Sequence, residues 1–507
     1  MSNQRILGID TGGTMAKAAI FDVDGTEIAS ARHANNVRYP RPGYTEVDAD
    51  EVWRSACHAV RSVMELSSTD PHEVIGISTT GHGNGLYAVD GAGRPILPGI
   101  ISTDSRAAET AAGWEAAGHG PFAESVIMQR FWPGQTLPLL GWFTRHAPQA
   151  LDRAAALFGS KDYVRARLTG DLSTEITEAA VAGLVDLSTL QYASTLFDRF
   201  GLTALAGKLP PIRPSLEAAA GVSAEAAAAT GLREGTPVVR GLTDVVACAV
   251  ASGATSTDVM SVIAGTFSIN QTLHASPRRS RAPVLQMPYP IGGLFLATEC
   301  SATSASNLEW LCRTMLGAEA GRASAEGKSI YDLCGDWVSA ALPRDNDILF
   351  LPFLFGGPAS TPAGLIGLRA SHDTADVVRA VFEGIVFAHK LDVDKLMTGA
   401  DAAAPKVVRL AGGAARSQIW PQLFADVLDL DVEVPAGGEL GAQGAAMSVA
   451  VALGHAPTLA DAAGRMVRIA RRYSPDPRRR DAYRTKFARF EALVKTLAPG
   501  RDISHAA

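Results

Sequence analysis

The sequence predicts an α/β protein built from two related domains, and three of its features lead there. The chain has 507 residues, too many for one ordinary core. Strand-like and helix-like segments alternate along it, as they do when helices cover a sheet. A recurring unit heads each half: an apolar run, a bend of small residues containing Gly-Thr, and a second apolar run. The first copy is "RILGIDTGGTMAKAAIFD" and the second "DVMSVIAGTFSINQTL", which sets a boundary near residue 250. The expected domains are 1–250 and 251–485, followed by a helix end and loose tail at 486–507.

The elements follow in order. "RILGID" is a short strand, "TGGT" breaks it, "AKAAIFD" resumes, "VDG" turns again and "TEIASAR" gives a third strand. Asp22 and Asp24 lack the other ligands and closing glutamate of a calcium loop and read as β-turn residues. Residues 50–66 place Val52, Ala56, Val60, Val63 and Met64 at helical spacing behind an acidic start. "EVIGIST" is another buried strand. From about 140 to 235 alanine-rich helical segments are joined by turn signals, and "EAAAGVSAEAAAATGL" reads as a surface helix or a helix with its approach loop.

In the second half, "VVRLAGGAARSQIWPQLFADVLDLDVEV" reads strand, glycine turn, helix, strand. Ser417 is the expected N-cap of a helix beginning at Gln418, with Pro421 in its first turn. "GGELGAQGAAMSVAVALG" makes a helix of small residues, suited to close packing or close approach to a ligand. "RRYSPDPRRRDAYRTKFARFEALVKTL" reads as a terminal helix with an exposed basic face, and the residues after Pro499 as loose. His389 reads as an ordinary helical residue.

Composition narrows the partners. The chain is 47% hydrophobic and 19% charged, which supplies cores and argues against general disorder. With 46 basic and 52 acidic residues the net charge of −6 argues against a nucleic-acid or anionic-membrane partner. Five cysteines without a C-x-x-C pair speak against a disulfide framework or zinc site, and the 11 histidines show no H-x-x-x-H spacing. The opening residues lack the pattern of a signal peptide, and no apolar stretch reaches the roughly 18 to 20 residues of a membrane helix. The expectation is a cytoplasmic protein.

One acidic residue is out of place. Asp244, in "GLTDVVACAV", sits in one of the most apolar stretches, where an ionised carboxylate is costly unless paired or hydrogen-bonded. No G-x-x-x-x-G-K-[ST] and no G-x-G-x-x-G after a strand occurs. In "GIDTGGTMAK" the amides of Thr11, Gly12, Gly13 and Thr14 could converge on a phosphate, although a plain hairpin has the same signature. Asp10 could hold Mg²⁺ through water, and Lys17 could reach phosphates as a point charge. Together with "VIAGTFSI" and the turn "LAGGAARS" the pattern is more specific: two hairpins to clamp a triphosphate and a third turn to receive a nucleotide.

These landmarks, with "STDSRA", "GSKDYVRARLTGDLSTEITEA", "LPFLFGGPASTPAGLIGL" and "EGIVF", occur in order between about Ile6 and Tyr473, and the chain resembles the FGGY carbohydrate kinases of the actin-like ATPase superfamily. The resemblance implies two actin-like ATPase (ribonuclease H-like) domains facing across a catalytic cleft, with ATP and Mg²⁺ as cofactors. It implies that Asp244 is the general base that takes the proton of the attacking sugar hydroxyl; a helix cap is the compatible structural role. Carried over, Asp10, Thr11, Gly13, Thr14 and Lys17 resemble the first phosphate and metal site, and Gly265 and Thr266 the second clamp. Gly412, Gly413, Ser417 and Gln418 resemble the adenosine pocket, where Ala414-Ala415-Arg416 departs from the glycine and asparagine of many members.

For the sugar, the resemblance points to His82, Asn84 and Asp104, with Arg106 beyond, and to Trp132 and Gln135 as pocket walls. Asn84-Gly85 equally suits a hairpin turn, and Trp132 equally suits core or lid packing. "HGNG" lacks the Arg-Glu pair of glycerol kinases; the loops look most like L-xylulose kinases, with erythritol kinases next. The expected activity is transfer of the γ-phosphate of Mg-ATP to a hydroxyl of a ketopentose or related small-molecule sugar. A polyol kinase is the alternative, and a non-kinase actin-like ATPase or a silent sugar sensor lies further off. Dimers are common in the resembled family, which leaves a homodimer open.

Overall fold

The computed structural model describes residues 4–399 and 404–498. The chain divides into two compact units. One holds the residues up to Thr255 with His274–Ala297 and Gly437–Arg468; the other holds Ser256–Leu273, Thr298–Ala436 and the residues from Ile469. Two stretches beyond residue 250, His274–Ala297 and Gly437–Arg468, thus pack with the first unit.

The first unit is organised on a six-stranded sheet, in the order Ala218–Gly221, Pro237–Val239, Val74–Gly81, Arg5–Thr11, Met15–Asp22, Glu27–Ala34. Strand Arg5–Thr11 runs antiparallel to Met15–Asp22 and parallel to Val74–Gly81. Side chains alternate along a strand. Leu7 and Ile9 join the core beneath helix Ala49–Ser67, whose buried face carries Val52, Ala56, Val60 and Val63 at the expected spacing. Asp48 caps that helix, accepting the Asp50 amide at 3.0 Å.

Gly8 points to the opposite face, where a Cβ would stand 2.1 Å from the Ala442 carbonyl oxygen. Helix Leu440–Ala452 therefore lies directly on strand Arg5–Thr11. Gly444 lets the same helix approach helix Asp244–Ala251; a Cβ there would be 2.2 Å from the Ala247 oxygen. This packing is why 437–468 belongs with the first unit. The alanine-rich stretch is half strand: Ala218–Gly221 pairs antiparallel with Pro237–Val239 before Ser223 caps helix Ala224–Thr230. Gly221 and Gly235 permit this, since a Cβ at Gly221 would meet the Gly235 Cα at 2.8 Å. The Asp22 turn is as expected, its carboxylate accepting the amides of Asp24 and Thr26 at 3.0 and 2.9 Å.

The second unit repeats the connection. Strand Val259–Ala264 runs antiparallel to Ser268–His274 and parallel to Val407–Ala411, which is parallel to Asp431–Pro435. Ile469–Tyr473 adds an antiparallel edge, so the "RRY" expected in the terminal helix is strand, and the helix runs Arg480–Leu497. The residues expected to be loose, from 499 onward, lie outside the described residues. The helix expected from Gln418 begins at Trp420 instead; Ser417 still caps it, its hydroxyl accepting the amides of Ile419 and Trp420 at 3.1 and 3.3 Å. Helix Thr374–Leu396 fills the core of this unit. Among the described residues, no helix is long and apolar enough to cross a membrane.

Candidate active site

In the first unit the Gly-Thr bend joins strands Arg5–Thr11 and Met15–Asp22. Asn35 holds it from one side: its amide donates to the carbonyls of Gly12 and Gly13 at 3.1 and 3.3 Å, and its backbone amide to that of Thr14 at 2.9 Å. The amides of Gly12, Gly13 and Thr14 have no described partner inside the unit. Thr11 is committed inward, its hydroxyl donating to the Thr80 carbonyl at 3.1 Å.

Asp10 and Lys17 are direct cross-strand partners. Above them stands the start of helix Leu440–Ala452: Lys17 Nζ is 2.9 Å from Glu439 Oε2, and a Cβ on Gly441 would lie 2.7 Å from Asp10 Oδ2. Glycine at 441 gives the Asp10 carboxylate its room.

Asp244 opens helix Asp244–Ala251, and the segment before it is pinned on three sides. Thr80 Oγ1 donates to the Leu242 carbonyl at 2.8 Å, and the Thr243 amide donates to Thr177 Oγ1 at 3.0 Å. Gly241, at φ +76°, passes so close to the Thr79 carbonyl that a Cβ would stand 2.2 Å from it. The Asp244 carboxylate accepts the Val245 amide at 2.7 Å and hydrogen-bonds the Gly83 backbone.

Gly83 links Asp244 to the second group. It belongs to the loop of His82 and Asn84, which is tied to the loop after Trp132: Gly85 N donates to the Gly134 carbonyl at 2.9 Å and Thr136 Oγ1 to the Gly85 carbonyl at 2.8 Å. Asn84 and Gly85 do form a left-handed turn, at φ +69° and +75°. Both ring nitrogens of His82, Asn84 Oδ1, Trp132 Nε1 and Gln135 Oε1 are buried without a hydrogen-bond partner. So many unsatisfied polar atoms in adjoining loops mark a place built for polar company.

Asp104 differs. Its carboxylate accepts the Thr45 and Arg106 amides at 2.6 and 2.9 Å and grips the Arg106 guanidinium at 2.9 and 2.8 Å. Arg106 also binds Glu46 at 2.7 Å and lies over the Tyr44 ring. Asp104 is thus occupied in fixing Arg106.

In the second unit the bend at Gly265–Phe267 leaves Thr266 exposed. Gly412, at φ +86°, abuts it: a Cβ would stand 2.7 Å from the Ala264 carbonyl oxygen. Gly412, Gly413 and Gln418 are exposed, and Arg471 ties down the carbonyls of Ala415 and Ser417. Among the described residues, no group of three or more His, Cys, Asp or Glu could hold a metal ion.

Comparison with known proteins agrees with this layout. Residues 5–251 match the N-terminal domain, and 260–453 the C-terminal domain, of the FGGY family of carbohydrate kinases. The chain belongs to the FGGY family of carbohydrate kinases. It is 30% identical over 494 residues to the L-xylulose/3-keto-L-gulonate kinase of Escherichia coli, covering 97% of each chain. It is 28% identical over 520 residues to the erythritol kinase of Brucella abortus, covering 98% of this chain and 97% of that one. The crystal structure of xylulose kinase from Rhodospirillum rubrum superposes with a TM-score of 0.86 at 26% identity, covering 98% of this chain and 99% of that one. The protein is accordingly a sugar kinase, a phosphotransferase with an alcohol acceptor, with two actin-like ATPase domains.

The electrostatics of this kinase centre on the acids. Burial, and then the charge of Asp10, push Asp244 up to about 7. Burial likewise raises Asp10, against the pull of Lys17. Burial works against the Lys17 ammonium, but Asp10 and Glu439 outweigh it and hold its pKa above the usual value. Burial drops His82 to about 4, so its ring is neutral at physiological pH.

Sequence reasoning missed four parts of the site. Lys17 pairs with Glu439, for which an acid at the head of a small-residue helix was the available signal. Asn35 had none. Thr177 relays order from a buried cluster: its hydroxyl donates to Glu175 Oε1 at 2.6 Å, and Glu175 lies 3.3 Å from the fully buried Lys161 ammonium. Glu178, in the same cluster, is pushed well above the carboxylate range by burial and keeps Oε2 unpartnered.

Proposed function

We propose that this FGGY kinase transfers the γ-phosphoryl group of Mg-ATP to a hydroxyl of an uncharged ketopentose of the L-xylulose kind, with Asp244 as general base. The carboxylate takes the hydroxyl proton, the oxygen bonds to the γ-phosphorus, and the bond from that phosphorus to the bridging oxygen breaks to leave ADP. The observation that carries the reading is Asp244 itself: a base pushed up to about 7, beside the His82–Asn84 loop and the acid of the Gly-Thr bend. A base of that strength is about half ionised near neutral pH and is still able to accept a proton.

The free amides of Gly12, Gly13 and Thr14 are the donors for phosphate oxygens, with Thr11 supporting the bend from below and Lys17 exchanging Glu439 for phosphate. Gly265 and Thr266 form the second phosphate clamp, and Gly412, Gly413, Ser417 and Gln418 receive the adenosine. Asp10 has no described hydrogen bond and its oxygen faces the empty side of Gly441, which suits a hydrated cation; a bound Mg²⁺ would neutralise phosphate charge there.

For the acceptor, His82, Asn84 and Trp132 offer unpaired polar atoms to sugar hydroxyls, with Gln135 beside them. The names of the relatives include both a neutral ketopentose and a sugar acid. The neutral one is favoured here, because His82 is uncharged and Arg106 is already held by Asp104 and Glu46. ADP release and phosphosugar mass, measured across ketopentoses, tetritols and keto-aldonic acids, test this. A neutral ketopentose should lead by at least about 10²-fold in kcat/KM, the penalty expected for a charge without a partner. Equal turnover of the acid would remove the specificity, and ATP hydrolysis indifferent to every sugar would remove the kinase activity.

A further inference from the structure

Helix Thr374–Leu396 buries a histidine completely: His389 is 0% exposed, in the middle of the second unit's core. Both ring nitrogens are used. Nδ1 is 2.8 Å from Asn270 Oδ1 and 3.0 Å from Ser268 Oγ, and Nε2 is 3.1 Å from Ser304 Oγ. The Asn270 amide nitrogen donates to Ser268 Oγ at 2.9 Å, which turns its oxygen toward the ring. An amide oxygen only accepts, so Nδ1 carries the hydrogen, and Nε2 accepts the Ser304 hydroxyl. The ring stands edge-on to Phe424 at 5.0 Å, and burial holds it neutral, near 3.

The partners belong to the two segments that bracket one bend. Ser268 opens the return strand of the second Gly-Thr hairpin, paired with Ala264. Ser304 precedes helix Ala305–Met315, whose first residues hold the bend itself: Ala305 N donates to the Gly265 carbonyl at 2.9 Å and Ser306 Oγ to the Thr266 carbonyl at 3.1 Å. Fixing those carbonyls fixes the peptide planes, and with them the direction of the amides. A histidine retained only to fill a core would not need three polar partners on those two segments; an apolar side chain would fill the space without the cost of unpaired groups.

We propose that His389 is a positioning residue for phosphate binding, locking Ser268 and Ser304 so that Gly265 and Thr266 present a fixed bend to the nucleotide. The proposal rests on the reading of that bend as a phosphate clamp. It concerns the phosphates and neither the adenosine nor the sugar, which separates it from a general loss of structure.

The test compares His389→Ala, His389→Gln and Ser304→Ala with the wild-type chain, measuring ATP and AMP affinity by calorimetry, KM for ATP and for the best sugar, and melting temperature. Ser304→Ala removes one hydroxyl and leaves the ring, so it reports even where the histidine variants fold poorly. Ser304→Ala should weaken ATP roughly 5- to 30-fold, the range of one buried hydrogen bond, and His389→Ala more. His389→Gln, which keeps an acceptor near the Nε2 position, should fall between wild type and His389→Ala. AMP affinity and the sugar KM should stay within about twofold, because neither engages the clamp. Equal losses for AMP and ATP, a sugar KM that rises in step, or a lower melting temperature with ATP binding intact would each overturn the positioning role. A wild-type chain that binds AMP as tightly as ATP would overturn the phosphate clamp itself, and the role of His389 with it.

Discussion

Replacing Asp244 by Asn separates the two things that carboxylate does. The side chain keeps its shape and can still accept the Val245 amide, now 2.7 Å from the carboxylate. What disappears is the base, and turnover should fall by about 10²- to 10⁴-fold. A buried charge disappears as well. Asp244 rises from an ordinary 3.8 to about 7, which bounds the electrostatic burden on the fold at about 4 kcal/mol; solvent screening reduces the expected gain to about 1–3 kcal/mol. The sign follows from the direction of the shift. Above about pH 7 the folded protein carries an ionised carboxylate that it would rather protonate; as pH falls toward 3.8 the folded state takes up the proton and the burden is relieved. Asp244→Asn should therefore be more stable than wild type at pH 8, by several degrees in melting temperature, and the gap should shrink by more than half by pH 5 and close only as pH approaches 3.8. Calorimetry at pH 8, 6.5 and 5, beside an ADP-release assay with the best sugar, measures both. Turnover near the wild-type rate would refute the base. A stability gain that is absent, or equal at all three pH values, would refute the electrostatic account.

Other substitutions probe the supports. Gly441→Ala would place a Cβ 2.7 Å from Asp10 Oδ2 and should reduce kcat at least about tenfold, whereas Gly464→Ala, with nothing within 4 Å, should leave activity intact and add up to about 1 kcal/mol of helix propensity by denaturant titration. Thr177→Val removes the hydroxyl between Glu175 and the Thr243 amide; kcat should fall about tenfold with a loss of about 1–3 kcal/mol, and Thr177→Ser should restore most of both. The wild-type kcat/KM for sugar should rise with pH to a plateau above about 7 as Asp244 ionises; a flat profile between pH 5.5 and 8.5 would contradict the assignment.

Much of this was legible in local pattern. Both Gly-Thr hairpins, the helix from Ala49 and the helix of small residues follow from glycine, alternation and helical spacing, which are properties of neighbouring residues. Asp244 was visible as a charge in an apolar run, and its place at a helix start came with it. Tertiary pairing was not legible. The Lys17–Glu439 pair joins residues more than 400 positions apart, and nothing near Lys17 hints at its partner. Asp104 was named as a sugar contact from the family resemblance alone, and nothing near it in the sequence shows that its oxygens accept from Arg106 and the Thr45 amide. His389 looked ordinary because a helix with apolar neighbours says nothing about polar atoms supplied by strand Ser268–His274 and by Ser304. Sequence order likewise cannot tell that Leu440–Ala452 returns to lie on strand Arg5–Thr11.

That return matters for the chemistry. Asp10 and Asp244 lie more than 200 positions apart in the sequence, and the charge of Asp10 raises the preference of Asp244 for a proton. Two acids in one buried place are unfavourable without compensation. The helix starting at Leu440 supplies part of it, bringing the positive end of its dipole to Asp10 through the gap that Gly441 leaves open. Lys17 supplies more, yet Glu439 takes hold of that ammonium. The compensation is thus incomplete by construction, and the group retains an appetite for positive charge that a sugar alone cannot satisfy. If the proposed phosphate and metal site is right, a nucleotide arriving with its counter-cation would meet it, while a bare anion would not. On the proposed reading of Asp244 as the base, the arrangement that makes it costly to keep would tie its charge balance to the phosphate donor, so the base would work best with a phosphoryl group in place.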